Sequence, residues 1–382
     1  MAVKPSYGTD LSGASRLAIE AVAGVTELVE AVHMSVLNKA IGTPAIGPVA
    51  GVTSLVYRSV KGVTRLVGGG IDAVLGRLVP VLAGEPEWQG RAALLSALNG
   101  VLGDHLERSN NPLAIPMQLR VADAPVSGRI LVLAHGLCMN DQQWLRDGVD
   151  HGATLQRERG YSPVYLLYNS GRHISANGHE FAAQLDTLVN NWPVPVTELV
   201  FLCHSMGGLI ARSACHYGAL AGHRWPGLLR KLVFLGTPHH GAPLERGGNW
   251  VHLLTDKTPF SAPFSRLAKI RSAGITDLRH GSVLDDDWSG RDRFAHGEPL
   301  PLSLPLPAGV VCFAVAATIG NSEGDLKDRM LAGDGLVPLA SAKGVHSEAG
   351  RSLPLTYAVV LKTNHMQLLS STEVQALLLR WL

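Results

Sequence analysis

The residues best suited to chemistry are a serine, an aspartate and a histidine that occur in this order along the chain. Ser205 stands in FLCHSMGGLIARSAC, where an apolar run passes into small residues, and Asp334 in GDGLVP and His365 in TNHMQL follow downstream. A serine hydroxyl is a weak nucleophile at neutral pH, so it needs a base within hydrogen-bond reach and a carboxylate that orients the base. The order serine, acid, histidine therefore predicts a catalytic triad.

Each of these assignments competes with a plainer one. A Ser-x-Gly sequence often forms a simple turn, an aspartate beside glycine often stabilises a turn, and a loop histidine is often structural. Asp325 and Asp328 are alternative acids in a more charged segment, and His346 is the nearest alternative base. We favour the first set because its aspartate and histidine both fall in loops that follow apolar, strand-like runs.

The oxyanion of a tetrahedral intermediate must be held by backbone donors. One expected donor is the amide of Met206, which follows the serine. The other is the amide of Leu137 in AHGLCMND, a loop that follows another apolar run. Together with the serine turn, these amides predict an oxyanion hole.

The serine needs an element that presents its hydroxyl, and the surrounding sequence supplies one. ELVFLCH is typical of a strand and GGLIARSAC of a helix, so Ser205 lies on an accessible turn between them, a nucleophile elbow. Gly207 and Gly208 let the strand and the helix approach closely. The usual pattern is Gly-x-Ser-x-Gly, and here Cys203 replaces the first glycine.

The remaining elements follow from short apolar runs that alternate with helical patterns. This alternation predicts an α/β fold with a mainly parallel sheet covered by helices. The expected strands are 129–135, 163–168, 198–204, 231–236, 310–316 and 356–362, and the expected helices are 176–191, 206–220 and 372–381.

Composition limits the possible function classes. The 382 residues are 46% hydrophobic, enough for a substantial core, and the net charge of +2 offers no global attraction for nucleic acid. The four cysteines lie among apolar or small residues and lack zinc-site spacing, so we expect reduced, buried thiols. The first residues lack the apolar core of a secretory signal, and no run suits a membrane span, so a cytoplasmic location is expected.

Five stretches in this order resemble the α/β-hydrolase superfamily, specifically the bacterial lipase and PGAP1-like esterase branch: HGL, CHSMGG, GTPHHGAP, GDGLVP and NHMQLL. The resemblance spans about residues 128–382. It implies a triad of Ser205, Asp334 and His365, with Leu137 and Met206 as oxyanion donors. It also places His239 and His240 of GTPHHGAP beside the acyl pocket, although two loop histidines are as often structural.

The leading functional hypothesis is a serine carboxylester hydrolase, an esterase or lipase, that acts on hydrophobic esters through an acyl-enzyme and needs no metal or organic cofactor. The same residues could serve a thioesterase, an amidase or an acyltransferase. A third hypothesis, of another class, is a binding protein on a hydrolase fold.

Two further regions are expected beside the sheet. Residues 1–110 form a helical N-terminal extension, and residues 111–382 form the catalytic domain with an excursion at about 243–307. The excursion carries enough apolar side chains to cover an acyl chain, or simply to pack as a small subdomain. Its acidic run, Asp285–Asp287, favours a solvated loop over a calcium site. The N-terminal helices favour packing against the core or a second subunit over contact with a membrane surface.

Overall fold

The computed structural model describes residues 91–123, 125–242, 272–290, 304–326, 328, 333–348 and 350–382. The helical patterns expected before residue 91 lie outside these ranges. So do the apolar side chains of the excursion that were expected to cover an acyl chain, which fall at 250–270.

A seven-stranded sheet forms the centre of the described chain. In chain order its strands are β1 (Gln118–Val121), β2 (Arg129–Ala134), β3 (Ser162–Leu167), β4 (Glu198–His204), β5 (Leu229–Leu235), β6 (Val311–Thr318) and β7 (Thr356–Leu361). Their order across the sheet is β1-β3-β2-β4-β5-β6-β7, and only β1 runs antiparallel to its neighbour. The predicted fold class, a mainly parallel sheet with helices, is confirmed.

The central strands are buried because both faces of the sheet are covered. Every residue of β4 after Glu198 is buried, and so is every residue of β2 after Arg129. Apolar runs of this kind are typical of parallel strands. All six predicted strands are present, with bounds that differ from the prediction by at most two residues.

Five of the described α-helices lie in the connections between strands, one precedes β1 and one follows β7. They are α1 (Arg91–Arg108), α2 (His151–Arg159), α3 (Ile174–Asn190), α4 (Met206–Leu220), α5 (Ala273–His280), α6 (Leu339–Ala342) and α7 (Thr372–Trp381). The three predicted helices correspond to α3, α4 and α7. None of the helices in the described ranges is long and apolar enough to cross a membrane.

Helix α1 differs from the expectation, because the sequence placed it in the N-terminal extension. Ala92–Asp256 and Arg271–Leu382 form one compact unit, which includes nearly all of α1. The Asn99 side chain donates to the carbonyl of Leu113 at 2.8 Å and accepts from the amide of Ile115 at 2.9 Å. These bonds join α1 to the chain that leads into β1, so the sheet-containing unit begins before residue 110.

All four cysteines are free and buried. Burial raises the pKa of Cys138 to about 12 and that of Cys203 well above its ordinary value. Both thiols are therefore protonated at neutral pH and behave as small apolar side chains.

Candidate active site

Ser205 occupies a strained turn between β4 and α4. Its backbone has φ 53° and ψ −124°, a conformation that is uncommon for a residue with a side chain. Its amide donates to the carbonyl of Leu235 at 2.9 Å, which fixes the turn to the end of β5. Strain of this kind concentrates at functional sites. The turn is less accessible than expected, because Ser205 is only 3% exposed.

Close contact between α4 and the sheet explains the small residues after the serine. A Cβ atom at Gly207 would lie 2.4 Å from the carbonyl oxygen of Ala134 and 2.6 Å from that of His135. Cys203 replaces the first glycine of the usual pattern without disturbing the strand, since it pairs with Ala134 in β2 and Phe234 in β5. A small buried side chain is accommodated there.

The structure brings Asp334 and His365 together as a buried pair. His365 Nδ1 lies 2.7 Å from Asp334 Oδ2, and both side chains are at most 2% exposed. Asp334 Oδ1 accepts from the amides of Leu336 at 3.0 Å and Val337 at 2.9 Å. Both carboxylate oxygens are therefore satisfied, and the side chain is fixed by its own loop.

Asp334 and His365 lie beside Gly236, at the end of β5, where the amide of Ser205 is also bound. A Cβ atom at Gly236, which follows the carbonyl that Ser205 binds, would lie 3.1 Å from His365 Nδ1 and 3.2 Å from Asp334 Oδ2. Gly236 has φ 57°, so glycine fits here both because it tolerates this backbone conformation and because it has no side chain. His365 Nε2 is buried and has no hydrogen-bond partner within the described residues.

His204, a residue that the sequence analysis did not single out, links the serine turn to the histidine loop. Its Nε2 lies 3.1 Å from the carbonyl oxygen of His365, and the two ring centroids are 4.7 Å apart. Because a carbonyl only accepts, His204 carries its proton on Nε2. Burial lowers the pKa of His204 well below its ordinary value and keeps the ring neutral. Its place beside Ser205 in the sequence was the only available signal.

The loop after β2 lies on the other side of the serine. A Cβ atom at Gly136 would come within 3.0 Å of Ser205 Cβ. Leu137 and Met206 are fully buried. No hydrogen bond from either amide is found in the described part of the chain, and Met206 opens α4, where an amide lacks a partner within the helix. The amide of Met206 in the serine turn and the amide of Leu137 in the adjacent loop are therefore both free among the described residues.

His239 and His240, the expected pocket residues, make other contacts. His239 is buried with its ring edge-on to Phe234 at 4.6 Å, and His240 packs against His346 at 4.9 Å. Burial lowers the pKa of both rings. No hydrogen bond in the described ranges joins either ring to the serine, the aspartate or the histidine of the site.

The alternative acids are engaged at the end of β6 and in the loop that follows it. Asp328 accepts from Thr318 Oγ1 at 2.9 Å and from the amide of Gly324 at 2.7 Å. Asp325 accepts from the amides of Asn321 at 2.7 Å and Asp328 at 2.8 Å. The observed carboxylate partner of His365 is Asp334.

No cluster of metal-binding side chains occurs among the described residues, which include the acidic run of the excursion. Asp287 Oδ2 accepts from the amides of Val283 at 2.7 Å and Leu284 at 2.9 Å, and Asp285 Oδ2 lies 2.9 Å from His179 Nε2. These carboxylates therefore organise their own segment and bind it to α3.

Residues 125–302 match the family described as PGAP1-like alpha/beta domain. No curated protein sequence matches the chain. Similar solved structures include the mature lipase BlEst2 of Bacillus licheniformis, with 17% identity, a TM-score of 0.44, and 69% of this chain and 98% of that chain covered.

Two other structures are similar at the same level. A lipase-esterase related protein from Clostridium acetobutylicum has 13% identity and a TM-score of 0.38, with 70% of this chain and 99% of that chain covered. The phospholipase PlaB from Legionella pneumophila has 15% identity and a TM-score of 0.42, with 66% and 59% covered. The match of residues 125–302 to the PGAP1-like alpha/beta domain and the order of the strands both agree with an α/β-hydrolase fold.

Proposed function

We propose that the chain is a serine carboxylester hydrolase of the esterase or lipase type, with Ser205 as nucleophile, His365 as base and Asp334 as the residue that orients the base. The observation that carries this proposal is the buried contact of 2.7 Å between His365 Nδ1 and Asp334 Oδ2, next to the strained serine turn. An ionised carboxylate only accepts, so the imidazole proton lies on Nδ1 and the Nε2 lone pair is left to accept the serine proton.

The reaction follows from these roles. Ser205 Oγ attacks the ester carbonyl while His365 Nε2 takes its proton, which gives a tetrahedral oxyanion. The oxyanion collapses, His365 returns the proton to the leaving alcohol, and an ester of Ser205 remains. Water then attacks this acyl-enzyme with His365 again as base, which releases the acid and restores the serine.

The developing negative charge needs donors that are already in place. We assign this role to the amides of Leu137 and Met206, which have no other partner in the described part of the chain. Met206 is also the first residue of a 15-residue helix, whose N-terminal end carries a partial positive charge. Both features favour an anion beside Ser205 Oγ.

A hydrophobic ester is the proposed substrate class. Ser205 and the loop residues beside it are buried, and Leu137 and Met206 present apolar side chains in the same region. Water is therefore excluded around the nucleophile, which suits an apolar acyl group better than a charged metabolite. His239 and His240 stay proposed pocket residues, and the excursion at 243–307 stays the proposed cover. We also retain the cytoplasm as the proposed location.

Nearly all of α1 belongs to the sheet-containing unit, so the role of the residues before α1 is tested separately. We propose that residues 1–90 pack against the hydrolase core or a second subunit rather than bind membranes. The full chain and a chain that begins near residue 91 should both stay in solution with anionic liposomes. Salt-sensitive sedimentation of the full chain alone would favour membrane contact.

The function is tested by a panel of p-nitrophenyl esters with acyl chains of increasing length. The wild-type protein should hydrolyse several of them, and Ser205→Ala should lose the activity. Ser213→Ala is the matched control, because Ser213 is a buried serine in α4, the helix that follows Ser205. A Ser205→Ala protein with wild-type turnover would remove Ser205 from the mechanism, and a wild-type protein inactive on the whole panel would refute the proposed class.

A further inference from the structure

The peptide bond between Gly136 and Leu137 is held in place through the carbonyl of Gly136. His135 Nδ1 lies 2.8 Å from the carbonyl oxygen of Gly136. That oxygen only accepts, so the ring proton of His135 is on Nδ1. Burial lowers the pKa of His135 to about 4 and keeps the ring neutral. Since a trans peptide is planar, fixing the Gly136 carbonyl also fixes the opposite direction of the Leu137 N–H.

Tyr168, the residue directly after β3, holds His135 at two points. The two rings are stacked with centroids 4.2 Å apart and planes 12° apart. The Tyr168 hydroxyl donates to the carbonyl oxygen of His135 at 2.7 Å. Tyr168 is 1% exposed, and burial raises its pKa well above the ordinary value, so the hydroxyl stays protonated and donates. The ring and the backbone of His135 are thus set by one side chain.

The far end of the same loop is bound by a residue next to Tyr168, and another residue next to Tyr168 is bound to α1. Ser170 Oγ accepts from the amide of Cys138 at 3.0 Å. Asn169 donates to the carbonyl of Gly103 in α1 at 2.9 Å. The segment Tyr168–Ser170, which we call the support segment, therefore contacts the backbone on both sides of Leu137. The position of the Leu137 amide depends on this segment rather than on its own loop alone.

We propose that Tyr168 is a positioning residue for the oxyanion donor at Leu137, acting through the carbonyl and the ring of His135. This inference rests on the proposed esterase function. Tyr168 needs no contact with the substrate. Its contribution is expected in the transition state, where the Leu137 amide must meet a charged oxygen at hydrogen-bond distance.

The test is Tyr168→Phe, which keeps the stacked ring and removes only the hydroxyl. We expect kcat for the best ester to fall roughly 10- to 100-fold with KM little changed, because misplacing a preorganised donor weakens the transition state more than the ground state. Affinity for a boronic acid, which forms a tetrahedral adduct with the serine, should fall by a similar factor. Affinity for the product acid should not change.

The matched control is Tyr161→Phe at the opposite end of β3. Tyr161 is also 1% exposed, and its hydroxyl donates to Glu198 at 3.3 Å. This variant should lose stability without a change in kcat or in boronic acid affinity. Ser170→Ala provides a second variant of the support segment, and we expect a smaller fall in kcat from it. Thermal unfolding of all three proteins separates lost folding from lost positioning.

The outcomes distinguish this inference from the proposed function. An active wild-type protein whose kcat and boronic acid affinity are unchanged in Tyr168→Phe would overturn the positioning role and leave the esterase function intact. Equal losses in Tyr168→Phe and Tyr161→Phe would also overturn it, since they would reflect general destabilisation. A wild-type protein that neither hydrolyses esters nor binds the boronic acid would refute both.

Discussion

Among the described residues, two buried aspartates each contact the Nδ1 atom of a histidine at nearly the same distance. His365 Nδ1 lies 2.7 Å from Asp334, and His173 Nδ1 lies 3.0 Å from Asp277. Both aspartates are at most 3% exposed. The contact distance and the burial of the aspartate therefore do not separate a base that reacts from a histidine that holds the fold.

The two pairs differ in the other contacts that their side chains make. Asp277 Oδ2 also accepts from the amide of Ile174 at 2.8 Å, so this carboxylate joins α5 to the first residue of α3. His173 is stacked on Trp288 with centroids 3.7 Å apart, which occupies the face of its ring. His365 instead has a buried Nε2 without a partner in the described residues, beside the strained serine. In the proposed mechanism, the nearby serine turn, rather than the contact with the carboxylate, makes His365 the reacting histidine.

The largest difference is expected from alanine at the two histidines. His365→Ala removes the proposed base, so kcat/KM should fall roughly 10³-fold or more, because triad residues act as a unit. His173→Ala should leave kcat/KM within about twofold, since by this account the ring only holds structure. Ester hydrolysis of the two purified variants decides the matter, and equal losses would remove the distinction between the pairs.

The two carboxylates should separate in a similar way. Asp334→Asn keeps the size of the side chain but disfavours the Nδ1–H form of His365, so kcat should fall roughly 10³-fold or more. Asp325→Asn and Asp328→Asn are the controls, because their carboxylates accept bonds from the end of β6 and the loop that follows it. Loss of activity in either control with full activity in Asp334→Asn would move the acid upstream.

Asp277→Asn should affect stability rather than turnover. It weakens bonds to the ring of His173 and the amide of Ile174, so the free energy of unfolding should fall by about 1–3 kcal/mol. Asp286→Asn is the control, because Asp286 is an exposed acid in the same segment. Denaturant unfolding and kcat are measured for both. A large fall in kcat for a stable Asp277→Asn protein would give the second pair a catalytic role.

The smallest effect is expected at Trp288. Its indole N–H donates to Ser175 Oγ at 2.9 Å, and Trp288→Phe removes this bond while it keeps an aromatic ring against His173. The free energy of unfolding should fall by about 0.5–1.5 kcal/mol, with kcat unchanged. Thermal unfolding at matched protein concentration measures the shift. A Trp288→Phe protein with wild-type stability would show that this contact adds nothing to the pair.

Sequence patterns predicted the parts of the fold that depend on local order. The apolar run of β4, the small residues of α4 and the serine between them are adjacent in the chain, so their structure could be inferred directly. Strand β1 was missed because Gln118–Val121 is short and mostly exposed, and it owes its structure to antiparallel pairing with β3.

The contacts that support the site could not be predicted in the same way. His173 and Asp277 are separated by 104 residues, and Tyr168 and His135 by 33. Their apolar or loop surroundings give no sign of a specific partner. The serine, acid and histidine were predictable because the reaction needs these residue types and the fold sets their order along the chain, whereas the residues that hold those groups are limited only by the tertiary packing.

By the proposed mechanism Ser205, activated by the pair of His365 and Asp334, is the reacting residue. This is tested directly by labelling with a fluorophosphonate probe, followed by mass spectrometry of the digested protein. We expect one adduct, on the peptide that contains Ser205, which is absent in Ser205→Ala, strongly slowed in His365→Ala and unchanged in His173→Ala. Labelling at another residue, or equal labelling of the wild-type and His365→Ala proteins, would contradict it.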